Sequence, residues 1–215
     1  MARFTLLDDP YFSALKRVAS AFDEAGIPFC LVGGGAVQAW IATLRTNEGA
    51  ISLSEEPMLE TALRKTRDLD FTTRSDEGTA IKLLNRIAAD APGTHVSGPR
   101  SARLGPVSVA LTLHPDDLSG MAALYDRFLD SRTTVRLKQS GKIDEFPAIA
   151  LEELVVTKIT RRGDKTKDLV DIAQLAEALK ASARSLDFSA IRSMLTGRSE
   201  ALAILEDLER QWEET

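Results

Sequence analysis

The chain has 215 residues, 44% hydrophobic and 27% charged, with a formal net charge of −5. That is enough apolar side chain for one good core, and the length points to one domain with a helical extension; the acidity excludes a general nucleic-acid coat and confines any such contact to a local patch. No apolar run reaches the ~20 residues of a membrane-spanning helix, Asp8 and Asp9 interrupt the N-terminal stretch before a signal-peptide core develops, and the single cysteine, Cys30, excludes an internal disulfide, so the expected setting is a reducing cytoplasm with no membrane contact.

Residues 10–25 carry Phe12, Leu15, Val18, Ala19 and Phe22 at helical spacing, between Pro10, which suits a helix start, and Gly26, which suits a helix end. IPFCLVG reads as a short buried strand, and a helical pattern resumes over 36–45. Residues 46–61 lose periodicity and contain Gly49 and Pro57, which marks a surface insertion. RDLDFTT is a second strand, and 76–90 an amphipathic helix through Ala80, Leu83, Leu84 and Ile87. The turn-rich stretch 92–106 has room for one short strand at its centre. VSVALTLH alternates, with Val107, Val109, Leu111 and Leu113 on one face and Ser108, Ala110, Thr112 and His114 on the other. Residues 133–138 and 142–147 pair as a hairpin around Ser140-Gly141. Beyond Ala150 the pattern is helical, over 151–161, 165–180, 187–196 and 199–213. The predicted architecture is α+β: a small mixed β-sheet flanked by helices in a core over 1–148, with an insertion at 46–62, and a helical C-terminal region over 149–215 packed on that core.

Three constellations in this frame carry chemistry. FCLVGGGAVQAW places Gly33, Gly34 and Gly35 between a strand and a helix. Such a junction serves either as a tight turn or as a place where a phosphate meets bare backbone at the positive end of a helix. It is neither a P-loop nor a G-x-G-x-x-G fingerprint, because no Gly-Lys-Ser/Thr follows and Gln38 stands at the third glycine position. RKTRDLDF places Asp68 and Asp70 two apart on a strand, hence on one side. Two such carboxylates call for a cation between them, and Mg²⁺ suits a few carboxylate oxygens completed by phosphate oxygens; the plainer reading is a solvated strand end beside Arg67. Residues 158–167 hold five basic side chains (Lys158, Arg161, Arg162, Lys165, Lys167) against one acid, Asp164. This patch suits a triphosphate or a nucleic-acid backbone, or else a solvated connection between helices. Asp168 and Asp171, three apart on the following helix, are placed to pair with Lys165 or Lys167.

In this order, Gly33-Gly34-Gly35, then Arg64, Thr66, Asp68 and Asp70, then Lys158 with Lys167-Asp168-Leu169-Val170-Asp171, the pieces resemble the nucleotidyltransferase superfamily, in particular its minimal and AbiEii-like toxin branch. The resemblance spans roughly residues 25 to 175 with gaps. It implies a Mg- or Mn-dependent transfer of a nucleoside monophosphate from an NTP to a macromolecular acceptor, either a tRNA 3′ end or a protein hydroxyl, in the setting of a toxin with a cognate antitoxin. It further implies that Asp68 and Asp70 are catalytic metal ligands, that Gly33, Gly34, Gly35, Arg64, Thr66, Lys158 and Lys167 contact the nucleotide, and that Asp168 and Asp171 support the site.

Two departures bear on that implication. Gly35 and Asp68 lie 33 positions apart, longer than the branch usually shows, and the excess falls in the 46–62 insertion. The strand that should bring a third carboxylate offers Ser108, Ala110 and Thr112 instead; Asp116, Asp117 and the distant Asp144 are the alternatives, with HPDDL reading better as a helix start. The sequence therefore leaves open a second reading, a nucleotide-binding or partner-binding module that keeps the fold without transfer, and a third, an antitoxin-like interaction protein that binds no nucleotide. Neither histidine belongs to a Cys/His cluster, so no structural zinc is expected. Cys30 and Trp40 are expected in the core, Gln38 within reach of a nucleotide, and Leu202, Leu205, Leu208 and Trp212 as an apolar stripe for docking.

Overall fold

The computed structural model describes residues 3–46, 52, 63–89, 93–114, 122–160 and 165–213. The chain begins with α1 (Asp9–Ala25), which has Pro10 in its first turn and ends at Gly26, where φ is +63° and the amide donates back to the carbonyls of Phe22 and Asp23. Then come β1 (Phe29–Val32), α2 (Gly33–Arg45), β2 (Asp68–Thr73), α3 (Glu77–Ala89), β3 (His95–Gly98), β4 (Ser101–Leu104), β5 (Val107–Thr112), α4 (Tyr125–Asp130), β6 (Thr133–Gln139) and β7 (Lys142–Ala148). Four helices follow: α5 (Leu151–Thr160), α6 (Lys165–Ala181), α7 (Phe188–Met194) and α8 (Ser199–Glu213).

The strands form one mixed sheet in the order β3-β4-β5-β2-β1-β7-β6. The central strand β2 runs antiparallel to β1 and parallel to β5, and β1 runs parallel to β7. Period-two alternation sorts its residues. Leu69 and Phe71 join Leu31, Phe29 and the apolar side of β5 on the face that α1 covers, where Phe22 and Phe29 stack at 4.8 Å and Phe71 meets both at a tilt, 6.1 Å away. Each such aromatic or aliphatic side chain taken from water contributes about 1.5–3 kcal/mol, so this layer is the main anchor of the fold. Asp68 and Asp70 fall on the opposite face with Ser108 and Ala110. At the far end of that face α4 closes the strands: the Tyr125 hydroxyl donates to the carbonyls of Thr73 and Leu113, and the Cys30 thiol lies 3.4 Å from the carbonyl of Phe128.

Helix α2 is buried from Gly34 to Leu44, with Trp40 donating to the carbonyl of Ile149 at 2.9 Å. The main core extends through Leu151, Leu154, Leu175 and Leu179 into the C-terminal helices, and a second cluster joins Val155, Val156, Ile159, Ile172, Ile191, Leu195 and Leu205. The stripe on α8 docks within the chain: Leu205 is buried and Trp212 meets Phe188 edge-on. Cys30 is a core residue whose thiol is pushed up to about 12, mainly by burial, so it is no nucleophile. No helix among the described residues is long and apolar enough to cross a membrane.

Three expectations change. The helix after β1 starts at Gly33, three positions early, because the glycines form its first turn. The 92–106 stretch holds two strands, β3 and β4, paired as a hairpin. Helix α4 was not foreseen. Most of the 46–62 insertion, together with Asp116, Asp117, Asp164 and the 161–164 connection, lies outside the described residues.

Candidate active site

Each of the three glycines at the start of α2 is met by a different neighbour. Gly33 has φ +64°, and a Cβ there would lie 2.5 Å from Asp70 Oδ2. A Cβ on Gly34 would lie 2.9 Å from Thr66 Oγ1 and 3.3 Å from Arg64 Nη2; one on Gly35 would lie 3.1 Å from the Tyr11 hydroxyl. The glycines therefore let the start of β2, and the segment before it, come up against the helix N-terminus. There the positive end of the helix dipole faces the Asp70 carboxylate. Val32 pairs in register with Asp70 across β1–β2, which sets this junction beside the carboxylate.

The segment before β1 frames the approach. Phe4 and Thr66 exchange backbone hydrogen bonds of 2.6 and 2.8 Å. Gln38, 1% exposed, accepts from the Leu6 amide at 2.7 Å and donates to the carbonyls of Phe4 and Arg64 at 3.1 and 3.0 Å. It is thus a bracket inside the protein, which corrects its expected reach to a nucleotide. The fully buried Tyr11 donates to the carbonyl of Asp68 at 3.2 Å. Burial, then the Asp70 and Asp68 charges, push its phenol well above 10.0, so it stays a donor.

The C-terminal helices reach the same place through a buried charge network. Lys158 Nζ donates to Asp171 Oδ2 at 2.6 Å and Asp168 Oδ1 at 3.1 Å. Asp171 also takes both Nε and Nη2 of Arg64. The expected triphosphate role of Lys158 meets a side chain only 2% exposed whose ammonium is held by two carboxylates, with Asp168 paired to Lys158 and Asp171 paired to both Lys158 and Arg64.

In front of this network Arg3, Arg64, Lys65, Thr66, Arg67, Asp68, Thr166 and Lys167 line a cleft of about 460 Å³. The structure thus brings together Gly33, Gly34, Arg64, Thr66 and Asp70, with Asp68 and Lys167 on the adjoining cleft, and sets Lys158, Asp168 and Asp171 behind it. Tyr11, Arg3 and Lys65 were not foreseen at the site, and their positions in the sequence carry no motif. Of the alternative acids, Asp144 faces the α1 side and pairs with Lys16 at 3.0 Å, and Asp116 and Asp117 lie outside the described residues. Among the described residues no group of three or more His, Cys, Asp or Glu is arranged to hold a metal. Two carboxylates on one face, with the space a Gly33 side chain would fill given over to an Asp70 oxygen, fit a hard divalent ion that phosphate oxygens complete.

The fold is similar to that of an antigenic nucleotidyltransferase-like protein from Paracoccidioides brasiliensis, whose crystal structure matches over 95% of both chains with a TM-score of 0.52 and 16% identity. The chain therefore has a nucleotidyltransferase-like fold. The solution structure of the antibiotic-resistance factor ANT(2'')-Ia matches over 95% of this chain and 99% of that one, with a TM-score of 0.48 and 13% identity. No family model and no curated protein matches the sequence.

Proposed function

We propose that this chain is a divalent-metal-dependent nucleotidyltransferase that moves a nucleoside monophosphate from an NTP to an acceptor hydroxyl. The observation that carries the reading is the seating of Asp70 against Gly33 at the start of α2, with Asp68 on the same face beside the basic cleft. The backbone amides at that helix start suit phosphate oxygens. Arg3, Lys65, Arg67 and Lys167 supply positive charge to a triphosphate in the cleft. Asp68 and Asp70 would hold Mg²⁺ or Mn²⁺, which when bound neutralises charge on the reacting phosphates. In the transfer, the acceptor oxygen bonds to the α-phosphorus as its bond to the pyrophosphate oxygen breaks, and the hydroxyl proton is released. Arg64, held by Asp171, and Thr66 would set the near wall of the nucleotide site, with Lys158 and Asp168 fixing that wall from behind.

The acceptor, a tRNA end or a protein hydroxyl, and a toxin role with a cognate antitoxin rest on the sequence resemblance. Incubation with each α-labelled NTP, Mg²⁺ or Mn²⁺, and total tRNA or lysate protein tests the reading. Label transfer that is lost in Asp70→Asn supports it, and growth arrest on expression, relieved by the same substitution, supports the toxin role. Ser108 and Ala110 beside the carboxylates favour a second reading, a nucleotide-binding module without transfer; tight NTP binding with no label transfer under any of these conditions selects it.

A further inference from the structure

We infer that the apolar groove between α6 and α8 is an interaction surface for an amphipathic helix of a partner protein, one whose apolar stripe is bordered by lysine or arginine. The inference stands apart from the transferase reading and uses none of the residues placed in the cleft above.

Helix α5 packs on α6, α7 and α8, and α7 packs on α8. Helices α6 and α8 face each other across a cavity of about 780 Å³, whose lining also includes Val155 of α5. On the α6 side Leu169, Ala173, Ala176 and Lys180 follow at helical spacing, while Ile172, Leu175 and Leu179 are buried in the cores. Helix α6 therefore has one apolar side more than the fold covers: Leu169 is 51% exposed and Ala173 is exposed. On the α8 side Ile204, Leu208 and Trp212 recur every four residues, each only partly buried. Lys180 Nζ lies 5.4 Å from the centre of the Trp212 ring, so the groove runs from there to Leu169, about 16 Å along α6. Two facing helical stripes of that length suit a third helix laid between them, with anchors at i, i+3, i+4 and i+7. The small side chains of Ala173 and Ala176 let its backbone come close.

The charged groups of the lining set the charge of the occupant. Glu177 is exposed and holds no ion pair among the described residues. Asp207 meets Arg210 in a pair whose side chains are 63% and 66% exposed, and such surface pairs are weak and readily exchanged. Lys180 is engaged on Trp212. Helix α8 as a whole carries Glu200, Glu206, Asp207, Glu209 and Glu213 against Arg210. Acids on an occupant would meet like charge along this wall, whereas lysine or arginine would pair with Glu177 and Asp207. A second copy of the chain, joined about a two-fold axis, would bring the same acids to the same wall, which disfavours self-pairing here. Leu169 of the groove is followed in the chain by Val170, which lines the cleft with Lys167. An occupant of the groove thus borders the cleft without entering it.

The test is fluorescence anisotropy of a dye-labelled Leu/Lys peptide of about 14 residues, long enough as a helix to span the groove, titrated with the full chain. Its leucines are set at helical spacing, and the same peptide with glutamate in place of every lysine is the charge control. The basic peptide should bind, one per chain, and the acidic one at least about tenfold more weakly. Ala173→Phe fills the groove from an exposed position, and Glu177→Lys reverses its charge; each should weaken the basic peptide by at least about tenfold. Glu145→Lys makes the same charge change on β7 and should leave binding unaltered. Leu169→Lys serves as the second groove variant should Ala173→Phe fail to fold. No binding of the basic peptide, equal binding of the two peptides, or binding that a folded Ala173→Phe or Leu169→Lys leaves intact overturns the inference. So does a wild-type dimer in sedimentation equilibrium that Ala173→Phe dissociates, since a second copy is then the occupant. Label transfer by the cleft is read separately, so none of these outcomes bears on the transferase reading.

Discussion

Replacing Lys158 with methionine separates two roles for that lysine. Its ammonium donates to Asp171 at 2.6 Å and Asp168 at 3.1 Å, and the three side chains are 2%, 0% and 4% exposed for Lys158, Asp171 and Asp168. Methionine keeps the length and apolar stem of the side chain but removes the charge. Asp171 then still has the Arg64 guanidinium, whereas Asp168 has no other ion-pair partner among the described residues. Stranding one partner of a buried ion pair costs about 3–5 kcal/mol. The surviving Arg64 contact puts Lys158→Met at the lower end, about 3 kcal/mol. For a chain of this size that lowers the melting temperature by roughly 6–12 °C. Urea and thermal unfolding followed by circular dichroism read the loss directly. Asp168→Asn on the Lys158→Met background should recover a large part of it, since a neutral amide costs less to bury than an unpaired carboxylate. If Lys158→Met instead melts like the wild type while its affinity for NTP falls, the lysine faces the nucleotide and the buried network is wrong.

Other positions give independent checks. Gly33→Ala and Gly26→Ala impose the same left-handed backbone, φ +64° and +63°, at about 1–2 kcal/mol each. Only the Gly33 methyl meets a neighbour, Asp70 Oδ2 at 2.5 Å, so Mn²⁺ binding should fall for Gly33→Ala and not for Gly26→Ala. Tyr11→Phe leaves the Asp68 carbonyl short of a donor and should destabilise by about 1–3 kcal/mol in urea near pH 8. Because the native phenol is held above 10.0, the unfolded chain releases that proton first as pH rises, so the wild type loses its advantage over Tyr11→Phe above pH 10.0. Asp76 caps α3, accepting from the Thr79 amide at 2.9 Å and its hydroxyl at 2.6 Å, and these bonds hold its carboxyl below 3.8. Its stabilisation is full above pH 3.8 and is lost as pH falls through the lower native value. The melting-temperature gap between wild type and Asp76→Ala should therefore be open at neutral pH and close in acid.

What could be read from the sequence was what local period determines. Alternation alone puts Asp68 with Asp70 and Ser108 with Ala110, each pair on one face of its own strand, while their joint placement comes from the β2–β5 register. The start of α2 was not: glycine has poor helix propensity and no side chain to show a period, so the pattern seemed to begin at Ala36. The ion pairs of Lys158 were not legible for a different reason. That lysine lies 10 and 13 positions from Asp168 and Asp171, and only the packing of α5 on α6 turns that separation into contact. Tyr11 and Gln38 are polar groups set in apolar helices, and nothing in their neighbours tells a bracket from a surface residue.

That bracket also bears on the long spacing between the glycines and the aspartates. The 33 positions between Gly35 and Asp68 do not set the distance between them. Gln38 ties α2 both to the N-terminal segment and to the Arg64 carbonyl, Phe4 pairs with Thr66, and Tyr11 holds the Asp68 carbonyl. Arg64 in turn is clamped by Asp171 from α6. Among the described residues, the contacts that return the chain to the glycines sit at the two ends of the intervening stretch, at Gln38 and at Arg64 and Thr66, and reach from there to residues 4–11 and to Asp171. Each is short and mostly buried, so together they oppose displacement of Asp70 from Gly33 more effectively than any link through the sequence could. The same contacts explain why α2 can be glycine-rich at its start yet remain a well-packed helix. Its first turn gains little from propensity and is held by what the neighbouring segments place against it.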